Sequence, residues 1–277
     1  MTPTIQQTFI YPVKSLAGIA CESLVLTDRG AQGDRRWMLV DHDGRFISQR
    51  EWPRLCLLSV ALSNEGFDVV ARTGERVRLP LTLLQGRDVT VTVWSDSVSA
   101  IEAEHEVNQF FSDALDMPCR LVYMPDVSHR FVDRTYAGDG QLTSFSDAYP
   151  LLLIGSASLN ELNRRLQSHG HSEMGWDRFR PNIVVATDEP HMEDSWSEFR
   201  MGEVQARGVK LCSRCVMTTV DQATGLAGKE PLRTLANYRT MKNKIMFGQN
   251  VIATQGTIRV GDKVSVTQFG YPPNAEF

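Results

Sequence analysis

Two cysteines three residues apart are the groups in this chain with the clearest capacity for chemistry. The stretch KLCSRCVMTTVDQATG, residues 210–225, contains Cys212 and Cys215. Thiols at this spacing can form a redox pair, supply half of a zinc site, or act one at a time. Apolar and β-branched residues follow Cys215, so the pattern predicts a strand that runs into a polar turn at residues 221–225.

The surrounding sequence weighs against a redox pair and a zinc site. A thioredoxin-like pair needs a helix N-terminus, which the β-branched residues after Cys215 disfavour. A structural zinc site needs four ligands, and the sequence offers no second C-x-x-C pair. In a strand, Cys212 and Cys215 point to opposite faces unless the chain turns between them. Two small buried side chains in a strand remain an open interpretation, and the spacing does not decide which cysteine matters.

The amino-acid composition favours some classes of protein for this chain and argues against others. The 277 residues are 42% hydrophobic and 22% charged, which favours a globular chain of about two domains. The net charge of −4 and the scattered Lys and Arg residues argue against a nucleic-acid surface. Five cysteines, an odd number, indicate reduced thiols rather than a disulfide framework. No segment approaches a membrane helix or a signal peptide, so we expect a cytoplasmic protein without a membrane segment.

The first part of the chain has the pattern of an antiparallel sheet or barrel. Short alternating segments follow one another from Ile5 to about Ala100, including RRWMLVDHDGRFISQR, which predicts a hairpin that turns at residues 42–44. The segment EAEHEVNQFFSDALDM has helical spacing, and CRLVYMP after it returns to strand character. These features predict a boundary near residue 120.

The second part predicts strands with helices packed outside. SASLNELNRRLQSHG is expected to form a helix with Ser156 or Ser158 as its N-cap. Strands follow at PNIVVAT and EVQARGVKLCSRCVMTTV, a short helix at EPLRTLANYRT, and paired strands at QNVIATQGTIRVGDKVSVTQ. The tail FGYPPNAEF is expected to be loose.

Several motifs, in order, resemble one known family. They are YPVKSLAG, GDRRWMLVD, RFRPNIVV, CSRCVMTTVDQATG with KEPLRTLANYR, and FGQN with GTIRVGDKV. Over residues 5–265 the chain resembles the MOSC-domain molybdenum cofactor proteins, above all the bacterial YcbX type and the mitochondrial amidoxime-reducing component. The resemblance implies a mainly β fold with an N-terminal MOSC-type β-barrel domain at residues 1–120. A MOSC β-barrel domain with peripheral helices follows at residues 121–277, and a molybdopterin-type cofactor binds between the two.

The resemblance also implies a set of site residues. Cys215 matches the family's thiolate ligand to molybdenum and is the expected catalytic residue. A soft thiolate suits a transition metal that changes oxidation state. The implied cofactor-binding residues are Lys14, Ser15, Arg35, Tyr149, Arg180, Asn182, Ser213 and Asn250. Cations suit the terminal phosphate of the pterin, and amide or hydroxyl groups suit its ring edges. Asn250 stands where the mitochondrial proteins carry a tyrosine.

The implied activity is reduction of N-hydroxylated compounds, namely hydroxylamines, N-hydroxylated purines and amidoximes, by oxygen-atom abstraction at molybdenum. The nearest bacterial relatives append a ferredoxin domain with clustered cysteines. The other four cysteines here are dispersed, so we expect no iron–sulfur cluster. Electrons would then come from a separate ferredoxin, flavoprotein or cytochrome, unless the chain is truncated. Two alternatives stay open: a non-catalytic carrier or sulfuration-related MOSC protein, and a β-barrel interaction module without a cofactor.

Overall fold

Short strands dominate the computed structural model, which describes residues 2–275. The strands are β1 Thr4–Ile10, β2 Ile19–Cys21, β3 Ser23–Thr27, β4 Gly30–Ala31, β5 Trp37–Val40, β6 Ser59–Ser63, β7 Gly66–Val70, β8 Arg76–Pro80, β9 Arg87–Val93, β10 Asp96–Glu102, β11 Arg120–Tyr123, β12 Leu151–Gly155, β13 Ile183–Ala186, β14 Trp196–Met201, β15 Val204–Ser213, β16 Thr240–Met241, β17 Lys244–Ala253, β18 Gly256–Arg259 and β19 Val264–Phe269. The α-helices are α1 His105–Leu115, α2 Arg134–Ala137, α3 Ser156–Ser168 and α4 Leu232–Ala236. The predicted mainly β fold with few helices is confirmed. Within residues 2–275, no helix is long and apolar enough to cross a bilayer.

The largest sheet combines strands from both ends of the chain. Its nine strands run in the order β19-β14-β15-β17-β12-β13-β1-β2, with β16 paired to β17. Three smaller sheets have the orders β5-β11-β10-β9, β6-β7-β8 and β18-β3-β4. The pairing expected among the last three strands is wrong, because β17 pairs with β12 and β15, β18 with β3, and β19 with β14. Loops from the first part of the chain are therefore held against strands of the second.

Both predicted polar turns are confirmed, and an aspartate closes each of them. At residues 42–44, Asp41 Oδ1 accepts a hydrogen bond from the backbone N–H four residues downstream at 2.9 Å. At residues 221–225, Asp221 Oδ1 accepts one from the backbone N–H three residues downstream at 2.9 Å. Such side-chain bonds replace part of the backbone pairing of a turn, so the polar residues of these segments have a local structural cause.

A glutamate distant in sequence, not a serine, caps α3. The predicted leucine face of this helix is buried, but the predicted caps Ser156 and Ser158 are wrong, because the N-cap is Gly155. The Gly155 N–H donates to Glu193 Oε1 at 2.9 Å, and the Ser158 hydroxyl donates to the same oxygen at 2.7 Å. Glu193 is fully buried. Its carboxyl oxygen thus accepts from one backbone donor at the start of the helix and from one side-chain donor in the first turn.

Glu193→Ala is expected to lower the free energy of unfolding by about 2–3 kcal/mol, because two buried donors lose their shared acceptor. Chemical denaturation followed by circular dichroism measures the loss. Glu193→Gln keeps one side-chain oxygen and should lose less than half as much. Equal stability of the alanine variant and the parent protein would contradict this account of the cap.

The tail is more ordered than expected as far as Ala275. The Asn274 side chain accepts a hydrogen bond from the Leu211 N–H and donates one to the Leu211 carbonyl, both at 3.0 Å. The prediction of a loose tail is wrong for Asn274, because this amide pairs with both backbone groups of one residue in β15. The last two residues of the predicted loose segment lie outside the described residues.

Candidate functional site

A cavity of about 400 Å³ lies where β15 and β17 meet loops from the first part of the chain. Its wall contains all nine residues that the resemblance implies: Lys14, Ser15, Arg35, Tyr149, Arg180, Asn182, Ser213, Cys215 and Asn250. It also contains Arg50, Trp94, Asp147 and Lys210, which the resemblance does not imply, and Cys212 and Arg214 of the CSRC motif. Residues far apart in sequence therefore converge on one space.

The backbone is unusually strained around this cavity. Ser15, Arg35, Trp94 and Arg180 have φ values of 70°, 49°, 57° and 56°, in the left-handed region. In the part of the chain that the structure describes, eight non-glycine residues have positive φ, and these four line the cavity. Such conformations cost about 1 kcal/mol or more each and concentrate at functional sites. These conformations therefore lower the stability of the fold, and the surrounding packing holds the four residues in them.

The two cysteines lie on either side of a change in backbone structure. The strand β15 ends at Ser213, and Val216–Thr219 form a 3-10 helix with Cys215 at its N-cap. The predicted strand beyond Cys215 is wrong. The Thr218 hydroxyl donates to the Cys215 carbonyl at 3.0 Å, and this bond stabilises a short helical turn despite the β-branched sequence. Because the chain turns here, Cys212 and Cys215 both reach the cavity.

A different arginine lies near each of the two thiols. Cys212 Sγ accepts a hydrogen bond from Arg214 Nη1 at 3.0 Å, and Arg214 Nη2 donates to the Phe179 carbonyl at 2.7 Å. Cys215 instead lies beside Arg50. Burial opposes a rise in the pKa of Arg50, but the charge of Asp147 and, less strongly, that of Cys215 raise it. Each thiol therefore has a cation on the same cavity wall.

Asp147 joins two cations on the cavity wall. Lys14 Nζ donates to Asp147 Oδ1 at 2.6 Å and to the Phe145 carbonyl at 2.8 Å, while Arg50 Nη2 donates to Asp147 Oδ2 at 2.6 Å. Burial would raise the pKa of Asp147, but Lys14 and Arg50 hold it well below its usual range. Burial lowers the pKa of Lys14 to about 8, although Asp147 opposes this change. The sequence patterns identify neither Arg50 nor Asp147, which lies in the loop before β12.

Arg35 and Arg180 stack on the same aromatic ring. Their guanidinium carbons lie 4.6 and 4.2 Å from the centroid of the Tyr11 ring. Arg35 Nη1 donates to Asn182 Oδ1 at 3.2 Å, and Arg180 Nη1 donates to the Leu16 carbonyl at 2.6 Å. Burial lowers the pKa of Arg180 to about 10, so the side chain is still charged at neutral pH. This arrangement holds two positive charges side by side at the cavity wall.

Both polar atoms of the Asn182 side chain form hydrogen bonds within the protein. Its Oδ1 accepts hydrogen bonds from the Leu152 N–H and from Arg35, both at 3.2 Å, and its Nδ2 donates to the Phe9 carbonyl at 3.2 Å. The residue is 1% exposed. These bonds make Asn182 a residue that positions Arg35 and links β12 to β1.

Three further predicted residues, Ser15, Tyr149 and Asn250, also line the cavity. Asn250 on β17 stands opposite Lys210 on β15. Lys210 Nζ lies 3.8 Å from the Tyr136 ring centroid and 5.9 Å from that of Tyr149. The Ser15 carbonyl accepts a hydrogen bond from a neighbouring glutamine at 2.6 Å. Polar and aromatic groups therefore surround the cations.

Several buried donors on the wall have no hydrogen-bond partner among residues 2–275. They are Arg50 Nη1, Tyr149 Oη, Arg180 Nη2 and Arg214 Nε. An unpaired buried donor costs about 1–3 kcal/mol, so this clustering in one cavity indicates a ligand that accepts hydrogen bonds. The surrounding cations indicate that the ligand is anionic.

Sequence comparison relates this chain to proteins of known families. The profile of the MOSC N-terminal beta barrel domain matches residues 2–118, and that of the MOSC domain matches residues 141–265. Mitochondrial amidoxime-reducing component 1 of Mus musculus is 34% identical over 94% of this chain and 81% of its own length. The chain belongs to the MOSC-domain family. Mitochondrial amidoxime reducing component 2 of Rattus norvegicus is 33% identical over 94% of this chain and 82% of its own length. The molybdenum cofactor sulfurase of Solanum lycopersicum is 32% identical over 92% of this chain, but only 35% of its own length.

The donor set fits a molybdopterin-type cofactor. Lys14, Arg35 and Arg180 supply positive charge for a phosphate, and unpaired arginine and tyrosine donors face the same space. Cys215 adds a soft thiol beside a cation, as a molybdenum ligand requires. The chemistry of the wall therefore agrees with the association of MOSC relatives with the molybdenum cofactor.

Proposed function

We propose that this protein is a molybdenum cofactor-dependent reductase of N-hydroxylated compounds that receives electrons from a separate donor protein. The observation that carries the proposal is the convergence of one thiol, a cluster of cations and several unpaired donors on a single cavity. The amidoxime-reducing relatives, matched over most of their length, support this activity over other MOSC functions.

Each residue has a role that its surroundings support. Cys215 would supply the thiolate ligand to molybdenum, while Lys14, Arg35 and Arg180 would hold the phosphate. Tyr149, Ser213 and Asn250 would meet the ring edges of the pterin, since all three line the cavity. When bound, the cofactor supplies two-electron redox chemistry at the metal.

The reaction converts R–NHOH, two electrons and two protons into R–NH₂ and water. The N–O bond breaks, and the departing oxygen carries negative charge as it leaves nitrogen. Arg50 is well placed to meet that oxygen, because its Nη1 is buried, has no partner among residues 2–275 and belongs to a side chain beside Cys215. A fixed cationic donor at such a position stabilises developing charge.

The proposal is tested with protein purified from a host that makes the molybdenum cofactor. We expect nearly one molybdenum per chain by elemental mass spectrometry, and reduction of benzamidoxime to benzamidine with chemically reduced methyl viologen. Two viologen radicals should be consumed for each benzamidine formed. A protein that is fully loaded with molybdenum but reduces no hydroxylamine or amidoxime would contradict the proposal.

A second function, cofactor carriage or sulfuration, is favoured by the match to plant sulfurases over almost the whole of this chain. It predicts bound molybdenum without N–O reduction, and transfer of the cofactor to a molybdoenzyme that lacks it. The viologen assay and a transfer assay on the same preparation distinguish the two functions.

The affinity for the cofactor should depend on pH through Lys14. An anion binds the protonated amine, and the pKa of Lys14 in the folded protein is about 8 instead of 10.5. The contribution of Lys14 to the affinity is therefore fully present well below pH 8 and is lost as the pH rises through this value. We expect less molybdenum to remain after dialysis at about pH 9.5 than at about pH 7, as measured by elemental analysis.

Lys14→Arg is the matched control, because arginine keeps its charge over this range. Its molybdenum retention should change much less with pH. Melting temperatures at each pH show whether the fold persists. Parallel pH dependences in the parent protein and the arginine variant would exclude Lys14 as the titrating group.

A further inference from the structure

Trp94 occupies a backbone position that disfavours tryptophan. It is the first residue of the two-residue turn between β9, which ends at Val93, and β10, which begins at Asp96. Its φ is 57°. Tight hairpin turns with positive φ favour Asn, Asp and Gly. The turn alone therefore does not account for a large aromatic residue here.

The hydrophobic core does not account for Trp94 either. Trp37 and Trp196 are at most 1% exposed and belong to the core, whereas 46% of Trp94 is exposed. Trp94 lies on the cavity wall. An exposed indole in a strained conformation at the mouth of a site is better explained by binding than by folding.

Two contacts fix the indole in place. The Arg50 guanidinium carbon lies 4.7 Å from the centroid of the Trp94 ring, and the Phe46 ring lies 5.0 Å away with a tilt of 53°. Asp147 in turn holds Arg50 at 2.6 Å. Arg50 also lies beside Cys215 on the cavity wall, so the indole and the expected metal ligand share one neighbouring side chain.

From this geometry we infer that Trp94 and Arg50 form a stacking platform for the planar ring of an aromatic N-hydroxylated substrate. Aryl amidoximes and N-hydroxylated nucleobases belong to this class. The platform and Cys215 line the same cavity. Stacking of a planar ring on an aromatic side chain contributes about 1–3 kcal/mol, which a small aliphatic substrate cannot gain. The inference rests on the proposed function and adds to it the residues that select aromatic over aliphatic substrates.

Kinetic selectivity tests the platform. The ratio of kcat/KM for benzamidoxime to that for acetamidoxime should fall about tenfold in Trp94→Ala, mainly through the KM for benzamidoxime. Trp94→Phe keeps a planar ring and should restore most of the ratio. Trp52, which is 44% exposed but does not line the cavity, provides the matched control. An unchanged ratio in Trp94→Ala, or an equal fall in Trp52→Ala, would overturn the inference.

Binding without turnover separates the platform from the reductase function. Calorimetry with benzamidine and acetamidine, the corresponding products, should show tighter binding of benzamidine, and Trp94→Ala should abolish the difference. If benzamidine binds through Trp94 but no N-hydroxylated compound is reduced, the platform stands and the reductase function fails. If both amidines bind the parent protein equally, the platform fails whether or not the protein is a reductase.

Discussion

Replacing Cys215 by serine is expected to remove nearly all bound molybdenum and to lower the reductase activity by more than about 100-fold. Even partners that only orient a metal ligand contribute about 10–100-fold to affinity or activity, and the ligand itself should contribute more. A serine hydroxyl is neither a soft donor nor easily deprotonated. Elemental analysis and the viologen assay on the same preparation measure both losses.

The fold should survive this substitution. Cys215 is only half-buried, and the turn that follows it is stabilised through its backbone carbonyl, which accepts from the Thr218 hydroxyl. The melting temperature without cofactor should therefore change little. Cys212→Ser is the control, because the Cys212 thiol accepts from Arg214. Loss of molybdenum in Cys212→Ser together with full retention in Cys215→Ser would show that Cys212, not Cys215, is the molybdenum ligand.

The structure around these thiols shows which features local sequence patterns can predict. Strand propensity correctly predicts β15 but fails beyond Ser213, because a hydroxyl-to-carbonyl bond at Thr218 favours a helical turn over an extended chain. Pattern reasoning likewise finds α3 but not its cap, since Glu193 lies 38 residues from Gly155 along the chain. Element propensities therefore succeed, whereas particular side-chain hydrogen bonds, near or far along the chain, are not predicted by them.

The same distinction applies to the cavity. Lys14, Arg35 and Arg180 belong to ordered motifs, so the family resemblance is enough to identify them from the sequence. Arg50 and Trp94 lie in a loop and a hairpin turn without a motif. Arg50 is placed at the site by its ion pair with Asp147, and Trp94 by its stacking on Arg50. These contacts join segments that are distant in sequence, and no local pattern encodes them.

Arg180→Ala is expected to weaken cofactor binding by about 30-fold or more. Removal of a buried cation that pairs with an anion costs about 2–5 kcal/mol, and 1.4 kcal/mol corresponds to a factor of ten. Arg180 is 5% exposed, and its Nη2 has no partner among residues 2–275. Molybdenum retained after extensive dialysis, relative to the parent protein, measures the effect.

A role in binding and a role in folding predict different results for this variant. Burial and the neighbouring Arg35 lower the pKa of Arg180, so its charge is unfavourable in the folded protein without an anion. Its removal relieves that cost and offsets the lost hydrogen bond to Leu16. The free energy of unfolding of the cofactor-free variant should therefore stay within about 1 kcal/mol of the parent value.

Two further variants separate charge from geometry at this position. Arg180→Lys keeps a positive charge but loses the planar fork of donors, and should recover only part of the affinity. Arg164→Ala removes one positive charge from the exposed face of α3 and should leave cofactor retention unchanged. A fall in unfolding free energy of several kcal/mol in Arg180→Ala, with cofactor retained, would make Arg180 a structural residue. The cations left to hold the phosphate would then be Lys14 and Arg35.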